Sequence, residues 1–217
     1  MLDTKTPKRK RPMVIVPEVT QLLESDPASK LDVIPTEWTQ EHYNYWSPIT
    51  PDTLSLHQVI PISDIISSGK ITELHGEIAF AFLENLPYIK ILRPFADKRS
   101  KWKNTNPKDH LHGALENVDI QVITKSLKDV MALRECGYYA VGLMSEGVRP
   151  DDVPLKLADK AYVLMDNDEP GRLAAQKWEE AGYKTIFIEE EGCKDMFDLI
   201  KMKGIAYAQN WLKDVII

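Results

Sequence analysis

The sequence predicts an α/β protein, with a parallel sheet flanked by helices in its carboxyl-terminal half and a smaller α+β part ahead of it. Three observations predict this. Composition shifts near Glu116-Asn117, from irregular sequence rich in Pro, Thr, Ser, Trp and Tyr to regular apolar runs. Behind that point, short apolar runs alternate with helical segments closed by glycine, the pattern of a parallel sheet with right-handed crossovers. Ahead of it, one strand pair joined by a short turn stands out.

In chain order, residues up to about Asp32 read as a basic tail, Lys8-Arg9-Lys10-Arg11, and a short amphipathic segment from Val16 to Leu23. Glu77 to Leu83 and Tyr88 to Phe95 read as the two strands, turning at Glu84-Asn85-Leu86-Pro87. Asp119 to Thr124 reads as a strand, Ser126 to Glu135 as a helix ending at Gly137, and Tyr139 to Met144 as a strand. Tyr162 to Met165 is the next strand, Gly171 to Ala181 a helix closed by Gly182, and Lys184 to Ile188 the last strand. The expected organisation is a tail and linker over 1–38, a first subdomain with a basic loop over 39–117, the sheet domain over 118–204, and a helical tail over 205–217.

Bulk properties narrow the function. The chain has 217 residues and a formal net charge of −6, which argues against a protein that coats nucleic acid while leaving room for a local grip. Cys136 and Cys193 are too few for a disulfide framework or a structural zinc site and point to a reducing compartment. His42, His57, His75, His110 and His112 form no zinc-binding spacing. No run approaches the length of a membrane span, and the basic start leads only into the short Met13 to Val16, so no signal peptide is expected. The expected location is the cytoplasm.

The apolar run Ala161-Tyr162-Val163-Leu164-Met165 stops at Asp166-Asn167-Asp168 and then turns into a helix. Residues i and i+2 of an extended chain point the same way, so Asp166 and Asp168 can offer carboxylates to one hard cation such as Mg²⁺. Pro170 suits the first turn of the helix, and Gly171 removes bulk where something approaches the backbone. Ligands of an open parallel sheet sit outside the carboxyl ends of its strands. All four strands end in polar residues: Thr124-Lys125-Ser126, Ser145-Glu146-Gly147, Asp166-Asn167-Asp168 and Glu189-Glu190-Glu191. Asp195 and Asp198 add carboxylates near the same edge. Converging carboxylates repel, which implies a bound divalent cation or shifted pKa values.

Val122 to Leu133, Met165 to Arg172 and Gly192 to Leu199 resemble, in order and spacing, the three signature segments of the Toprim domain as it occurs in DnaG-type primases. Upstream, Trp46 to Leu54 is similar to the segment that opens the primase catalytic core, and Ser100 to Thr105 to its basic, asparagine-containing motif. The resemblance covers roughly Thr39 to Gly204 and is to bacteriophage primases in particular. It implies a Toprim-type sheet behind a primase amino-terminal subdomain, and synthesis of short RNA primers on single-stranded DNA from ribonucleoside triphosphates. It also implies Mg²⁺ or Mn²⁺ as cofactor, held by Asp166, Asp168, Asp195 and Asp198; Asp129 matches a family aspartate, although by itself it reads as a helix-surface residue or one standing behind the ligands. Primases of this type carry a zinc-binding module ahead of the core and a partner or helicase module behind it; the resemblance therefore implies a replicative helicase and a zinc-binding primase module on another chain, or that this is one piece of a split or truncated primase, and no membrane.

One departure matters. In the family the first strand ordinarily ends in a catalytic glutamate followed by glycine, whereas this chain has Lys125-Ser126. A charged lysine neither binds Mg²⁺ nor accepts a proton. Either Lys125 grips a triphosphate while Glu146 supplies the carboxylate, which makes Glu146, Lys125 and Asp166 the catalytic set, or the domain binds nucleic acid or nucleotide without polymerising. Arg93, Lys98, Arg99, Lys101 and Lys103 interleave with Phe95 and Trp102, a composition suited to a single strand whose phosphates meet cations and whose bases stack on rings. Trp102, Asn104, Lys128, Arg172 and Lys194 complete the expected nucleic-acid or nucleotide contacts. A Toprim nuclease or topoisomerase fragment would share the acidic pocket, but the segments at Trp46 to Leu54 and Lys101 to Thr105 resemble primases. A receiver-type signalling domain needs its lysine after a late strand, and Lys125 follows the first.

Overall fold

A computed structural model describes residues 31–113, 120–144, 147–150 and 157–216. The basic tail, the segment from Val16 to Leu23 and Glu146 lie outside the described residues.

The first half is built on an antiparallel sheet. β1 (Leu31–Pro35) pairs with β2 (Val59–Ser67); β2 pairs with both β3 (Lys70–Glu73) and β4 (Phe80–Asn85); β5 (Tyr88–Leu92) joins β4 to β6 (Trp102–Asn104). Between β1 and β2 lie α1 (Gln40–Trp46), which Thr39 caps by exchanging hydrogen bonds with His42, and α2 (Pro51–Leu56), capped by Thr50 with a proline in its first turn. Ser68 and Gly69, at φ of 51° and 77°, form the two-residue turn between β2 and β3, the backbone hand that suits a twisted hairpin. Sequence reasoning finds only the β4–β5 pair. Pro61, Ser63 and Asp64 interrupt the apolar pattern of β2, and every residue of β3 is exposed, so neither carries a periodic signal.

The second half contains β7 (Ile120–Thr124), α3 (Leu127–Glu135), β8 (Ala140–Gly142), β9 (Leu157–Leu164), α4 (Glu169–Glu180), β10 (Lys184–Ile186), α5 (Met196–Lys203) and α6 (Ile205–Val215). Its strands lie in the order β10-β9-β7-β8, each neighbouring pair parallel. This is the α/β architecture the alternation predicts. β9 begins at Leu157 rather than Tyr162, because Asp159 and Lys160 hide its start from a search for apolar runs. β8 and β10 stop at Gly142 and Ile186, short of the expected ends.

Successive strand residues face opposite ways. Val122, Tyr162 and Leu164 join the cluster of α3, α5 and α6, while Ile123, Val163 and Met165 pack with Ala174, Ala175 and Trp178 of α4. Burial on both faces explains why the run into Asp166 is apolar throughout instead of alternating. Phe80 and Phe82 of β4, with Trp46 of α1, enter the first of these clusters beside Leu127 and Phe197, whereas Ala79 and Ala81 face Ile62, Ile65, Ile89 and Ile91 within the antiparallel part. One shared core thus joins the antiparallel sheet to the helices of the parallel one. From β7 the chain proceeds to β8 on one side, while β9 lies on the other. That reversal opens the crevice where open α/β sheets bind ligands, and the residues just past its two strands include Lys125 and Asp166.

Candidate metal centre at the switch point

Asp166 is placed by the start of α4. The helix folds back so tightly that a Cβ on Gly171 would lie 2.2 Å from the Asp166 carbonyl oxygen; glycine is required there because no side chain fits. Asp168 accepts the Gly171 N–H at 2.9 Å and caps α4. Asp195 caps α5, accepting the Asp198 N–H at 2.8 Å. Asp129, in the first turn of α3, is almost wholly buried. One of its oxygens accepts the Ser126 hydroxyl at 2.6 Å and the other the Phe197 N–H at 3.2 Å. It thereby satisfies one of the N–H groups that a helix leaves open at its start.

The result is a buried triad. Carboxylate oxygens of Asp129, Asp166 and Asp195 lie within 4.8 Å of one another. Lys125 Nζ is 2.8 Å from Asp166 Oδ2, and Lys128 Nζ is 3.7 Å from Asp195 Oδ2 and 4.7 Å from the centre of the Phe197 ring. Burial pushes the Asp129 carboxyl well above the usual range, the Asp195 charge pushes it further, and Lys128 only partly opposes them. Burial likewise raises Asp166 against the pull of Lys125, and raises Asp198 with help from Asp195. Burial works against charging Lys128, but Asp195 and Asp129 outweigh it and hold its pKa high. Two ammonium groups against three carboxylates leave an excess of negative charge. An all-oxygen, anionic donor set of this size fits a hard divalent cation.

The geometry redistributes the expected ligands. Asp168, expected beside Asp166, is exposed and committed to its helix cap, whereas Asp129, expected behind the site, stands inside the triad. Asp198 is half-buried one turn along α5, with an oxygen 3.4 Å from the Lys194 backbone nitrogen. Arg172 donates to the Asn167 side chain at 2.6 Å and lies over Phe187, and Lys194 is exposed. In the connection from β5 to β6, Lys98 and Arg99 are exposed and Phe95 keeps 72 % of its surface, while Arg93 is paired with Glu77. Lys101 and Lys103 are half-buried, and Asn104 is occupied by hydrogen bonds from Asn106. Trp102 is not a free platform: it stacks on Phe82, packs against the core and carries Lys90 4.9 Å above its ring.

Sequence reasoning passed over Lys90, Glu84 and His112. Lys90 Nζ lies 3.1 Å from His112 Nε2, and His112 Nδ1 is hydrogen-bonded to Glu84. Burial lowers the Lys90 pKa to about 8 against the pull of Glu84, and the charges of Lys125 and Lys128 lower it further. His112 also bridges the Gly142 backbone, and a Cβ on Gly142 would sit 2.9 Å from the Ser126 carbonyl carbon and 3.2 Å from His112 Cβ. These residues therefore border the start of α3. The only sequence hint was the spacing of His110 and His112, which share a face in extended chain.

In architecture the chain matches primase domains. The primase fragment of the bacteriophage T7 primase-helicase protein superposes with a TM-score of 0.54 at 16 % identity, over 82 % of this chain and 79 % of that one. A chain of the bacteriophage T7 lagging-strand DNA polymerase complex, with primase domains bound to an RNA/DNA hybrid and dTTP, gives 0.55 at 16 % identity over 86 % and 92 %. The zinc-binding and RNA polymerase domains of Aquifex aeolicus primase give 0.59 at 16 % identity, over 81 % of this chain and 56 % of that one. No protein-family model and no curated protein matches the chain in sequence. The likeness is therefore one of fold.

Proposed function

We propose that the chain is the catalytic core of a bacteriophage-type DNA primase: a nucleotidyltransferase that makes short RNA primers on single-stranded DNA from ribonucleoside triphosphates. The observation that carries this reading is the triad of buried carboxylates at the switch point of a sheet with primase-domain architecture. In this reading residues 39–117 are the primase amino-terminal subdomain and 118–204 a Toprim domain. Asp129, Asp166 and Asp195 would hold Mg²⁺ or Mn²⁺, with Asp198 beside them and Asp168 setting the helix start. The cation would supply charge neutralisation at the phosphate oxygens, the main electrostatic demand of phosphoryl transfer. Lys128 and Lys125 bring positive charge to the rim, where a triphosphate would lie. Glu146, following β8, is the candidate for the carboxylate that Lys125 displaces.

Lys98, Arg99, Lys101 and Lys103, with the exposed Phe95, are the proposed grip on the template strand, and Arg172 and Lys194 flank the incoming nucleotide. A replicative helicase and a zinc-binding primase module are the proposed partners, in the cytoplasm of the bacterial host if the chain is phage-encoded. Among the described residues no helix is long and apolar enough to cross a membrane. A second reading, binding without polymerisation, is favoured by the 2.8 Å ion pair between Lys125 and Asp166, which occupies a carboxylate the cation would use. A primer-synthesis assay separates the two. Short labelled RNA from the parent chain with Mg²⁺ or Mn²⁺, and none from Asp166→Ala/Asp129→Asn, supports the primase; a Glu146→Gln variant tests the relocated acid. Salt-sensitive template binding with no product, even with a supplied zinc module and helicase, would establish the binding reading instead.

A further inference from the structure

Away from the acidic triad, a second set of ligand-capable groups converges where the antiparallel part meets the chain leading into β7. Glu84, near the end of β4, is approached by three imidazoles from distant segments. His112 Nδ1 bonds Glu84 Oε1, His110 Nε2 lies 3.3 Å from the same oxygen, and His57 Nδ1, at the end of α2, lies 3.9 Å from Oε2. The Gly113 N–H donates to Oε2 at 3.0 Å. Ligand atoms of Glu84, His110 and His112 all fall within 4.8 Å of one another.

Satisfying one buried carboxylate does not require this many partners. The backbone N–H and one imidazole would do so, yet two more rings turn a nitrogen toward it. His57 adds an independent observation: it is only 3 % exposed, and its Nε2 is buried without a hydrogen-bond partner. The ring turns its other nitrogen, Nδ1, to Glu84 at 3.9 Å, beyond an ordinary hydrogen bond.

We propose that Glu84, His110 and His112, with His57 in reach of a fourth position, form a binding site for a divalent transition-metal ion of the zinc type. Imidazole nitrogens with one carboxylate select Zn²⁺ or Co²⁺, in contrast to the all-oxygen triad, which suits Mg²⁺. Entry is open, since the Glu84 and His110 side chains keep 13 % and 15 % of their surface. The ion would fasten the end of α2, the β4–β5 hairpin and the chain before β7 to one another, making it a structural clasp. Nothing in this proposal depends on primase activity.

The test uses the full chain stripped by chelator, dialysed, and titrated with Co²⁺ in excess Mg²⁺, which covers the aspartate triad. The expected result is a visible d–d absorption that saturates at one equivalent and a melting temperature that rises with Zn²⁺. Loss of an outer partner weakens metal sites about 10- to 100-fold, so removing a ligand in His110→Ala should weaken Co²⁺ binding by at least about 100-fold. His110 is the more exposed ligand, and its variant keeps the Glu84–His112 bond; Glu84→Gln provides the second variant. Asp166→Asn should leave the spectrum unchanged. Absence of a saturable band in the parent overturns the site, as does a band that survives both His110→Ala and Glu84→Gln or disappears in Asp166→Asn. Because the readout is spectroscopic, failure of this site and failure of the primase reading are separate results.

Discussion

In the proposed centre Lys125 would compete with a metal ion for Asp166, and Lys125→Met measures the competition. The ammonium lies 2.8 Å from Asp166 Oδ2. At that separation two unit charges attract by about 6 kcal/mol with an effective dielectric near 20, and desolvation and side-chain ordering cut the net value of a charged hydrogen bond to about 1.5–3 kcal/mol. The lysine side chain keeps 31 % of its surface, so screening places the pair at the lower end, about 1.5 kcal/mol. A cation that engages Asp166 must displace or share this partner. Methionine keeps much of the stem and removes the charge, so Mn²⁺ affinity, read by electron paramagnetic resonance, should tighten by about tenfold. Asp166→Asn supplies the baseline for loss of the centre. Unchanged or weaker Mn²⁺ binding in Lys125→Met would refute the reasoning, because it would show that the lysine does not occupy a cation's place.

Four further outcomes are expected. With a chelator present, the triad's contribution to stability, read as the difference between the parent and Asp129→Asn, should rise as pH falls from 7 toward 5: the folded Asp129 and Asp166 carboxyls titrate above their unfolded values, so the native state takes up protons first and the repulsion is complete only above the folded pKa, while His42 and His112, lowered by burial, act alike in both proteins. Asp129→Asn should flatten that dependence in thermal melts. Gly171→Ala should destabilise by about 1–3 kcal/mol in urea unfolding and weaken Mn²⁺ binding, since its methyl would meet the Asp166 carbonyl at 2.2 Å. Phe80→Ala, at a side chain with no exposed surface shared by Trp46, Tyr45 and Trp38, should cost about 3–5 kcal/mol by the same measurement. Lys98→Gln/Arg99→Gln should weaken single-stranded DNA binding and lower the salt slope by about 1.4, the value for two phosphate contacts.

What could be read from sequence follows from where burial leaves a pattern. The doubly covered strands β7 and β9 and the glycine-closed helices α3 and α4 were legible because apolar runs and stop signals coincide there. β3 and β6 were not, since an exposed four-residue strand and a three-residue edge strand leave too little periodicity to see. At the site, Asp166 and Asp195 were visible as carboxylates at strand and helix ends. The approach of Asp129 to them was not, because it depends on α5 packing against α3, and Asp168 is drawn aside into a helix cap where the extended-chain rule no longer holds. Asp129 lies in the first turn of a helix, and only the packing of α5 against that helix buries it. The histidines illustrate a second limit: His57, Glu84 and His110 come from segments distant in sequence, and no local spacing encodes their meeting.

The bond from the Phe197 amide to Asp129 ties the acidic triad to the seat of α5. A carboxylate that both borders the proposed cation position and anchors a helix would couple the two: what loads the centre would also tug on the helix behind it. The Phe197 amide proton is therefore a natural gauge. Its chemical shift should track occupancy and protonation of the triad in an ¹⁵N-labelled sample, reporting on the chemistry from within the backbone without any substitution in the site.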